Sequence, residues 1–599
     1  MTFAQRTFNL TSFSFILFTS NLFGQIQFSG SSQLKYGESK TGFTYSESLI
    51  NTHIRLDKFT VWTQFEFSQP PELGFYQDGL RKIRLDYTKG PISLKFGDIY
   101  EIWGRGLILN QVDDQSIDFD NGIRGLYFSL DKNNIQWNLL TGYSTLWKSA
   151  PTYPGYNNYS HNYETNHSVL GTNIDWIRES FELGFSYLQS REKHALPSWN
   201  FPDTVHVAHR ILGGRIAYTA PNFDIFMEYA DKQSTGYNEL DFSRKGSGFY
   251  ANITSYFQDW TLSADYIRYR FAHLSPDAFS RWDFVNNYGL VLDFQQPAIS
   301  NLLHSTPLLG RISHQFDFNN NLGYQLDLTG PGLFGSTLFL HYAASSRTHI
   351  WESTVDYSWF KKNNDSWLPF ESAEGLPYRE RYIEVDGYAF NDKLHYIIAA
   401  SKTTDITDIF QNLYLEENHT SQYKYQEAIT FPTSFSLSLS NGMNIDIKWE
   451  YQELLRGTWS YSDSLGIVKY DSLKSDFDSF NYETGVYTKR PKQVNHVFSI
   501  GLGKAPTWSV ALLFDRVSYD DTFDPYAINT ETSFEKFLEQ FISLENTWAA
   551  IELVYNINSN QRLSLMYGSQ KGGLLCSNGV CRIIEPFSDG FKLELTSLF

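Results

Sequence analysis

The sequence predicts an all-β protein, a large antiparallel transmembrane β-barrel. Three observations predict it: repeated segments of about ten to fourteen residues that alternate apolar and polar side chains, an aromatic content of 17%, and short turns that alternate with long polar connections. The mean hydropathy is negative, and beyond its first two dozen residues the chain has no run of about 18 apolar residues, the length of a membrane-spanning helix. We therefore expect the chain to cross a membrane with strands.

The first 24 residues carry the pattern of a secretory signal peptide. One positive charge, Arg6, precedes a short apolar stretch at 8–23, and the small residue Gly24 follows it. The stretch is too short to serve as a membrane helix. We expect cleavage near Gly24, export to the periplasm, and a single barrel over 25–599.

The clearest hairpin lies at 435–451, where Asn441-Gly442 separates two alternating strands. Asn-Gly favours a type I′ turn because both central residues need a positive φ. Other tight turns are predicted at 57–58, 89–91, 132–134, 220–222, 258–259, 391–392 and 558–560. Long polar connections fall between them, which predicts short periplasmic turns, long extracellular loops and two periplasmic termini. Counting 285–294 as a strand gives about 26 strands, within a range of 24–26.

The last strand of the chain has the same two-faced pattern. Its apolar side chains are Phe591, Leu593, Leu595 and Phe599, and its polar ones are Lys592, Glu594 and Thr596. A chain that ends on such a strand and a terminal Phe is similar to the closing strand of bacterial outer-membrane barrels, the signal that the barrel-insertion machinery recognises. We therefore expect Phe599 to belong to an insertion signal, and outer-membrane lipid to surround the barrel.

Composition and motifs argue against several classes of function. The formal net charge is -18, and no basic patch is present to bind phosphate backbones, so nucleic acid is not an expected partner. No Gly-x-Ser-x-Gly or His-Glu-x-x-His motif occurs, so neither a serine nucleophile nor a zinc helix is indicated. We expect no enzyme, no cofactor and no metal ion.

The two cysteines, Cys576 and Cys581, are separated by four residues within a predicted turn. A close pair of cysteines in an exported chain predicts a local disulfide. The alternative is a metal site, which needs additional Cys or His ligands, and none lies nearby in the sequence.

The most unusual segment of the chain is 96–125. Gly97, Gly104 and Gly106 permit a bent or closely packed backbone. Trp103 is large and apolar for a residue in a solvated loop. The candidate constriction residues are Asp98, Glu101, Trp103, Arg105, Asp113, Asp114, Asp118, Asp120 and Arg124. In one interpretation, the arginines oppose the carboxylates across a pore and set a transverse field that selects polar solutes. In the other, the charges pair with each other and hold the loop against the wall.

Three sequence blocks resemble one family. They are Gly-Asp-x-Tyr-Glu-x-x-Gly-x-Gly-Leu at 97–107, Asp-Asn-Gly-Ile-Arg-Gly at 120–125, and the cysteine-bearing tip at 567–582. They resemble a family of uncharacterised outer-membrane β-barrels, a domain of unknown function, from the Bacteroidota. The resemblance spans essentially the mature chain. It implies a barrel in the outer membrane, and it implies no activity, substrate or catalytic residue.

The width of the predicted barrel restricts its function. Barrels of roughly 16 to 18 strands already leave an aqueous channel, and no folded plug precedes the first predicted strand, so we expect loops or a partner to obstruct the lumen. The first hypothesis is a porin-like channel or uptake pore for hydrophilic solutes, with an inward-folded constriction near 97–125. The alternative is a non-conducting component of an outer-membrane or secretion assembly, whose lumen a periplasmic or surface protein fills.

Overall fold

The computed structural model describes most of the chain. The described residues are 26–40, 42–148, 163–195, 204–237, 243–271, 292, 294–314, 316–349, 351–353, 359–361, 366–372, 375–411, 421–460, 480–481, 486–487, 493–519, 546–577, 580–584 and 586–599. The predicted signal peptide at 1–24 lies outside them and stays a prediction.

The described residues form a 24-stranded antiparallel sheet in which each strand pairs with its neighbour in sequence and the last strand pairs with the first. The first twelve strands are β1 (Ile26–Glu38), β2 (Thr44–Leu56), β3 (Phe59–Ser68), β4 (Gln77–Lys89), β5 (Ile92–Ile99), β6 (Ile123–Lys132), β7 (Ile135–Lys148), β8 (Tyr163–Arg178), β9 (Phe181–Ala195), β10 (Thr204–Ala220), β11 (Phe223–Tyr237) and β12 (Ser243–Phe257). The other twelve are β13 (Trp260–Arg270), β14 (Asn321–Pro331), β15 (Thr337–Ser346), β16 (Tyr378–Ala389), β17 (Leu394–Gln411), β18 (Ser421–Ser438), β19 (Met443–Ser460), β20 (Gln493–Lys504), β21 (Trp508–Tyr519), β22 (Thr547–Asn558), β23 (Gln561–Gln570) and β24 (Phe587–Leu598). The predicted all-β, closed antiparallel barrel is confirmed.

The strand count is 24, the lower end of the predicted range and below the preferred value of about 26. The segment at 285–294, counted as a wall strand in that prediction, does not belong to the barrel wall. Most of that segment lies outside the described residues, but Leu292 and Phe294 are described and belong to no strand. In addition, β13 pairs directly with β14, so nothing from 285–294 can enter the wall between them.

The two ends of the barrel differ in their connections. One end, the turn end, carries residue 26, residue 599 and the tight turns at 57–58, 90–91, 133–134, 179–180, 221–222, 258–259, 332–336, 390–393, 439–442, 505–507 and 559–560. At the predicted Asn441-Gly442 hairpin both residues have a positive φ, 70° and 72°, which agrees with the turn chemistry. The other end, the loop end, carries the remaining connections, and this asymmetry is typical of transmembrane barrels.

The outer face of the barrel is apolar, and its inner face is polar except where inward residues of β6 to β13 belong to a buried apolar cluster. On β10, Leu212 and Ile216 are exposed on the outside, whereas Arg215 between them is buried inside. Aromatic pairs flank the tight turns on the outer face, such as Trp176 with Phe181 (ring centroids 6.1 Å apart) and Tyr218 with Phe223 (5.8 Å). Such a girdle at the edge of an apolar band is typical of barrels in membranes. No helix in the described ranges is long and apolar enough to cross a membrane.

Short elements lie in the connections at the loop end. Two-residue strands pair within 100–122, namely Ile102–Trp103 with Leu109–Asn110 and Asp113–Asp114 with Phe119–Asp120. Trp351–Ser353 pairs with Trp359–Lys361, Phe480–Asn481 with Val486–Tyr487, and Gly573–Ser577 with Val580–Ile584. Helix α1 is Pro307–Gly310, and at the turn end single 3-10 turns occur at Leu333–Gly335 and Ser440–Gly442.

The predicted cysteine turn is a hairpin in the connection between β23 and β24. Its backbone register places Cys576 directly opposite Cys581. The side chains of both residues lie outside the described part of the chain, so the disulfide stays a prediction.

Candidate functional site in the barrel lumen

The connection between β5 and β6, residues 100–122, turns into the lumen. Gly97 has a φ of 118°, and a Cβ there would lie 2.0 Å from the carbonyl oxygen of Ile83. Only glycine fits this close approach, which explains why regular pairing with β4 stops there. Gly104 and Gly106 also have positive φ, 61° and 87°, and form the tight turn of the first small hairpin.

Apolar packing holds the base of this segment. Trp103 is 2% exposed, and Leu107, Ile108 and Leu109 are equally buried. They form one cluster with inward residues of β6 to β13. Two wall glycines make room: a Cβ at Gly171 would lie 2.7 Å from the Trp103 ring, and a Cβ at Gly213 would lie 2.2 Å from Ile108 Cδ1. The base of the segment is therefore packed like a protein core, inside the barrel.

Arg105 lies against the wall of the barrel. Its backbone N–H donates to Glu228 Oε2 at 2.6 Å, and its guanidinium lies 5.3 Å from the ring centroid of Phe226. Its described contacts are thus with β11, and none is with a carboxylate of its own segment.

Ion pairs hold the tip of the segment, the hairpin at 113–120. Lys82 of β4 pairs with Asp113 and, at 2.9 Å, with Asp120. Arg81 lies 3.9 Å from Asp113 and 3.7 Å from Asp120, and also pairs with Glu66. Neither cation belongs to the segment, so the acidic tip is attached to the wall by strand β4.

The surroundings of Asp120 change the ionisation of the tip. Burial opposes the charge of Asp120, but the attraction of Lys82, the N–H of Gly122 and Arg81 outweigh it and lower the pKa of the carboxyl. Tyr100 donates its hydroxyl to Asp120 Oδ1 at 2.9 Å, and burial, followed by the negative charges of Asp120 and Asp113, raises the pKa of Tyr100. Asp120 thus stays charged and Tyr100 stays neutral over the ordinary pH range.

The remaining candidate residues also have partners. Arg124 Nε donates to Asp98 Oδ1 at 2.9 Å and its Nη2 donates to Oδ2 at 3.1 Å. Glu101 pairs with Lys95. Asp114 accepts the backbone N–H of Ser116 at 3.0 Å, which closes the hairpin turn. Asp118 adopts a positive φ of 49° beside Gly74.

The structure therefore brings the candidate residues together with three cations whose role the sequence pattern does not indicate. These cations are Arg81, Lys82 and Lys95. Each lies on a strand as an inward polar residue, and nothing in its spacing distinguishes it from other lumen-facing charges. Of the two interpretations, pairing of the charges describes the geometry, although the pairs join the segment to the wall more than to itself. This geometry does not test whether the charges set a selective field across a pore.

A second inward segment between β13 and β14, of which residues 292, 294–314 and 316–320 are described, was not predicted; it is written below as 292–320. Phe294 is fully buried in the same cluster as Trp103. Asn110 N donates to Phe294 O at 2.7 Å, and Gln295 Nε2 donates to Leu107 O at 2.7 Å. The two segments are thus joined, and we call 100–122 and 292–320 together the lumenal insert.

Polar contacts attach the second segment to the opposite wall. His304 Nε2 lies 2.6 Å from Glu380 Oε1. His314 Nδ1 lies 3.0 Å from Asp405 Oδ1. The backbone N–H of Leu308 donates to Glu450 Oε2 at 2.8 Å, and Gln452 Nε2 donates to Leu308 O at 3.1 Å; Arg311 pairs with Asp515. The insert thereby reaches strands β16 to β21 as well as β4 to β13.

No group of His, Cys, Asp and Glu among the described residues has the arrangement of a metal site. The closed barrel, its apolar outer band and its inward segments define the class of protein, a large outer-membrane-type β-barrel. The chain belongs to the Family of unknown function (DUF6029), which it matches over residues 13–464 and 483–599. The predicted resemblance to an uncharacterised barrel family is thereby confirmed, and the Bacteroidota lineage stays a prediction.

Comparisons with characterised proteins add no function. No curated protein matches the chain significantly. Among solved structures it is similar to the copper transporter OprC (TM-score 0.41, 9% identity, 96% of this chain and 82% of that chain). It is also similar to the siderophore receptor PirA from Pseudomonas aeruginosa (0.43, 7%, 96% and 80%) and the FrpB iron transporter from Neisseria meningitidis (0.41, 8%, 95% and 82%). TM-scores and identities this low carry no functional argument.

Proposed function

We propose that the protein is an outer-membrane channel for small hydrophilic solutes, with the lumenal insert as its constriction. The apolar outer band would contact outer-membrane lipid, and the closing strand β24 would contact the insertion machinery. The polar part of the inner face, outside the apolar cluster of β6 to β13, supports an aqueous path, because water-filled barrels are lined by polar side chains.

The observation that carries the proposal is the unequal attachment of segment 100–122. Its base is held by buried apolar side chains such as Trp103 and Leu107, whereas its tip at 113–120 is held by ion pairs to Arg81 and Lys82. Moving packed apolar side chains into solvent costs free energy. Charged groups, in contrast, can replace a protein partner with water or a polar solute. The tip is therefore the part that a passing solute can displace.

Single-channel recording tests the proposal. The purified barrel is inserted in planar bilayers and compared with a variant in which 113–120 is replaced by Gly-Gly. The replacement is geometrically simple, because Asn121 N already donates to Val112 O at 3.2 Å across the base of the hairpin. Small, ion-selective steps in the wild type that become larger in the variant support the channel. Silence of both proteins rejects it.

A second candidate function is a non-conducting component of an outer-membrane or secretion assembly. Phe334 and Phe390 are 97% and 76% exposed on turns at the turn end, and both have positive φ, 57° and 54°, which bulky residues rarely adopt. β15 and β16 pair directly, so the two turns that contain Phe334 and Phe390 are neighbours. Their exposed rings would offer an apolar contact surface to a periplasmic partner.

Crosslinking in cells tests the second candidate. A photo-crosslinking amino acid at Leu333, beside Phe334, should give one discrete adduct with another protein. That adduct should disappear in a Phe334→Ser/Phe390→Ser variant and remain in a Phe257→Ser control at another tight turn. A crosslinking pattern that is the same in all three proteins rejects the candidate.

We propose no catalytic role for the protein. Ser234, His209 and Glu192 do form a hydrogen-bonded chain on β11, β10 and β9, with distances of 2.8 Å and 2.6 Å. All three side chains are buried, and neighbouring His167 packs edge-on against Phe294 of the insert. A substrate has no access to the serine in this arrangement, so the chain is better explained as part of the insert's support.

A further inference from the structure

The barrel wall has a notch at the loop end. β5 ends at Ile99 and β6 begins at Ile123, whereas β4 and β7 on either side continue. Residues 77–83 of β4 extend beyond its first pair with β5, Arg84 with Gly97, and 144–148 of β7 extend beyond the last pair with β6. At about 3.3 Å per residue, this edge of β4 beyond its backbone pairs with β5 is roughly 23 Å long.

A cavity of about 670 Å³ occupies this notch, within the range of small-molecule sites. Its lining includes Tyr143 and Thr145, which are exposed on the outer face, and Leu146, which alternates with them and is buried on the inner face. Lys82 and Asp120 of the lumen line it as well. Because residues of both faces line one cavity, the cavity passes through the wall.

The lining carries the carboxylates Glu66, Asp98, Asp118 and Asp120 and the cations Arg81, Lys82 and Arg124, and each of these cations already has a carboxylate partner. Arg81 and Lys82 pair with Asp113 and Asp120, and Arg124 is matched by Asp98. A free anion or cation would have to compete with these pairs. Hydroxyl groups, in contrast, can accept from a guanidinium and donate to a carboxylate without breaking the pair.

Two exposed tyrosine rings add an apolar contact surface to the cavity. Tyr143 is 73% exposed on the β7 side of the notch, and Tyr76 is 54% exposed on the connection before β4. Both line the cavity. Exposed aromatic rings beside paired donors and acceptors suit a ligand with apolar C–H faces and many hydroxyls.

We propose that the notch is a binding site for neutral saccharide. Its source is either a free oligosaccharide or the sugar portion of an outer-leaflet glycolipid, since the cavity opens on both faces of the wall. The site is independent of conduction, because a saccharide can bind there whether or not the lumen passes solutes. Failure of the proposed channel therefore leaves this site unaffected, and the converse also holds.

Binding by the detergent-purified full chain tests the site in two arms. The first arm uses an array of neutral oligosaccharides, and the second uses a purified glycolipid with a neutral sugar headgroup in detergent micelles. The Tyr76→Ala/Tyr143→Ala variant should lose at least about tenfold in affinity, the order of two lost ring contacts. The Tyr229→Ala control removes an exposed outer-face tyrosine of β11 and should bind like the wild type.

The arms also identify the source of the saccharide. Binding in the first arm assigns the site to free oligosaccharides, and binding in the second arm alone assigns it to a glycolipid. A Thr145→Trp variant, which fills the outer opening while keeping both tyrosines, should abolish either signal. Absence of binding in both arms overturns the proposal, as does binding that these substitutions leave unchanged.

Discussion

Trp103 of the first inward segment lies directly on Gly171 of β8, with its ring atom Cη2 2.7 Å from the position that a Cβ of residue 171 would occupy. A larger residue in β8 must therefore displace the tryptophan. We expect Gly171→Val to cost about 1–3 kcal/mol through overpacking and to shift the base of the insert. The folded form should be lost at a lower temperature on unboiled gels.

Gly214→Val is the matched control for this prediction. Gly214 lies in β10, and the nearest atom to a Cβ there is 3.8 Å away, so the added side chain has room. The control should behave like the wild type. Equal behaviour of the two variants would contradict the packing of Trp103 on β8.

The ion pairs of Lys82 predict how the tip of the insert responds to mutation. Lys82→Met removes the cation nearest to Asp113 and Asp120 and should cost about 1–3 kcal/mol locally, because these half-buried carboxylates keep only Arg81 as a described cationic partner. Single-channel records should show larger or more frequently flickering steps. Lys58→Met, which removes an exposed lysine at a tight turn, should change nothing. An unchanged record for Lys82→Met would show that the ion pairs do not set the position of the tip.

The pH dependence of the tip follows from Asp120. Its pKa is lowered in the folded protein, so its pairing with Lys82 contributes stability that is present above the ordinary value of about 4 and lost as the pH falls through the folded value. In the wild type this pairing should therefore be lost, and larger steps should appear, in strongly acidic solution. An Asp120→Asn variant should show the larger steps already at neutral pH, and a variant with the pH profile of the wild type would contradict this assignment.

How much the sequence predicts depends on whether a pattern is local. The alternation along β19 and the Asn441-Gly442 turn depend on neighbouring residues, and both appear in the structure where the pattern places them. The segment at 285–294 also looks like a strand, but its described residues Leu292 and Phe294 are buried in the lumen. Apolar alternation shows that one face is buried, and it does not distinguish lipid from the packed interior of a barrel.

In the candidate site, too, only the features that depend on neighbouring residues could be predicted. The glycines of 97–106 predict a bent, close-packed segment, and their φ values agree with this. The partner of Arg105 could not be predicted, because Glu228 lies more than a hundred residues away and nothing local links them. The second inward segment was missed for the same reason, since its contacts with Glu380, Asp405 and Glu450 are all distant in sequence.

The pairing of Arg311 with Asp515 predicts protease sensitivity of the second inward segment. Asp515→Ala leaves the Arg311 guanidinium without that carboxylate, and the segment should detach more often from β21. Trypsin should then cut after Arg311, and mass spectrometry should find a new terminus at Ile312. The Asp446→Ala control removes a lumen-facing carboxylate of β19 that bonds Ser436, and it should stay intact at that bond. Equal cleavage of both variants would show that Asp515 does not retain the segment.

The register of Cys576 opposite Cys581 predicts that the two thiols are oxidised to a disulfide. Directly opposed residues in an antiparallel pair have Cα atoms about 4.5–5.5 Å apart, within the range of disulfides. Alkylation of the denatured, unreduced protein should therefore add no mass, and alkylation after reduction should add two groups. Cys576→Ser should leave one reactive thiol without reduction. Two reactive thiols in the unreduced wild type would exclude the disulfide.

Substitution of Phe599 can distinguish a role in recognition by the insertion machinery from a role in closing the barrel. Phe599 exchanges backbone hydrogen bonds with Gly30 (2.7 Å and 3.0 Å), and its ring stacks on Phe28 with centroids 5.5 Å apart. Phe599→Ala and Phe28→Ala remove the same ring contact, worth about 0.5–1.5 kcal/mol beyond burial, so the two refolded variants should lose similar stability.

Assembly in cells should distinguish these variants, because only Phe599→Ala changes the terminal residue that the insertion machinery is expected to recognise. The fraction of heat-modifiable, folded protein in outer-membrane preparations should fall several-fold for Phe599→Ala and remain near the wild-type level for Phe28→Ala. If both fractions fall equally, the terminal phenylalanine acts only through the seam between β24 and β1, and the signal lies elsewhere in the closing strand.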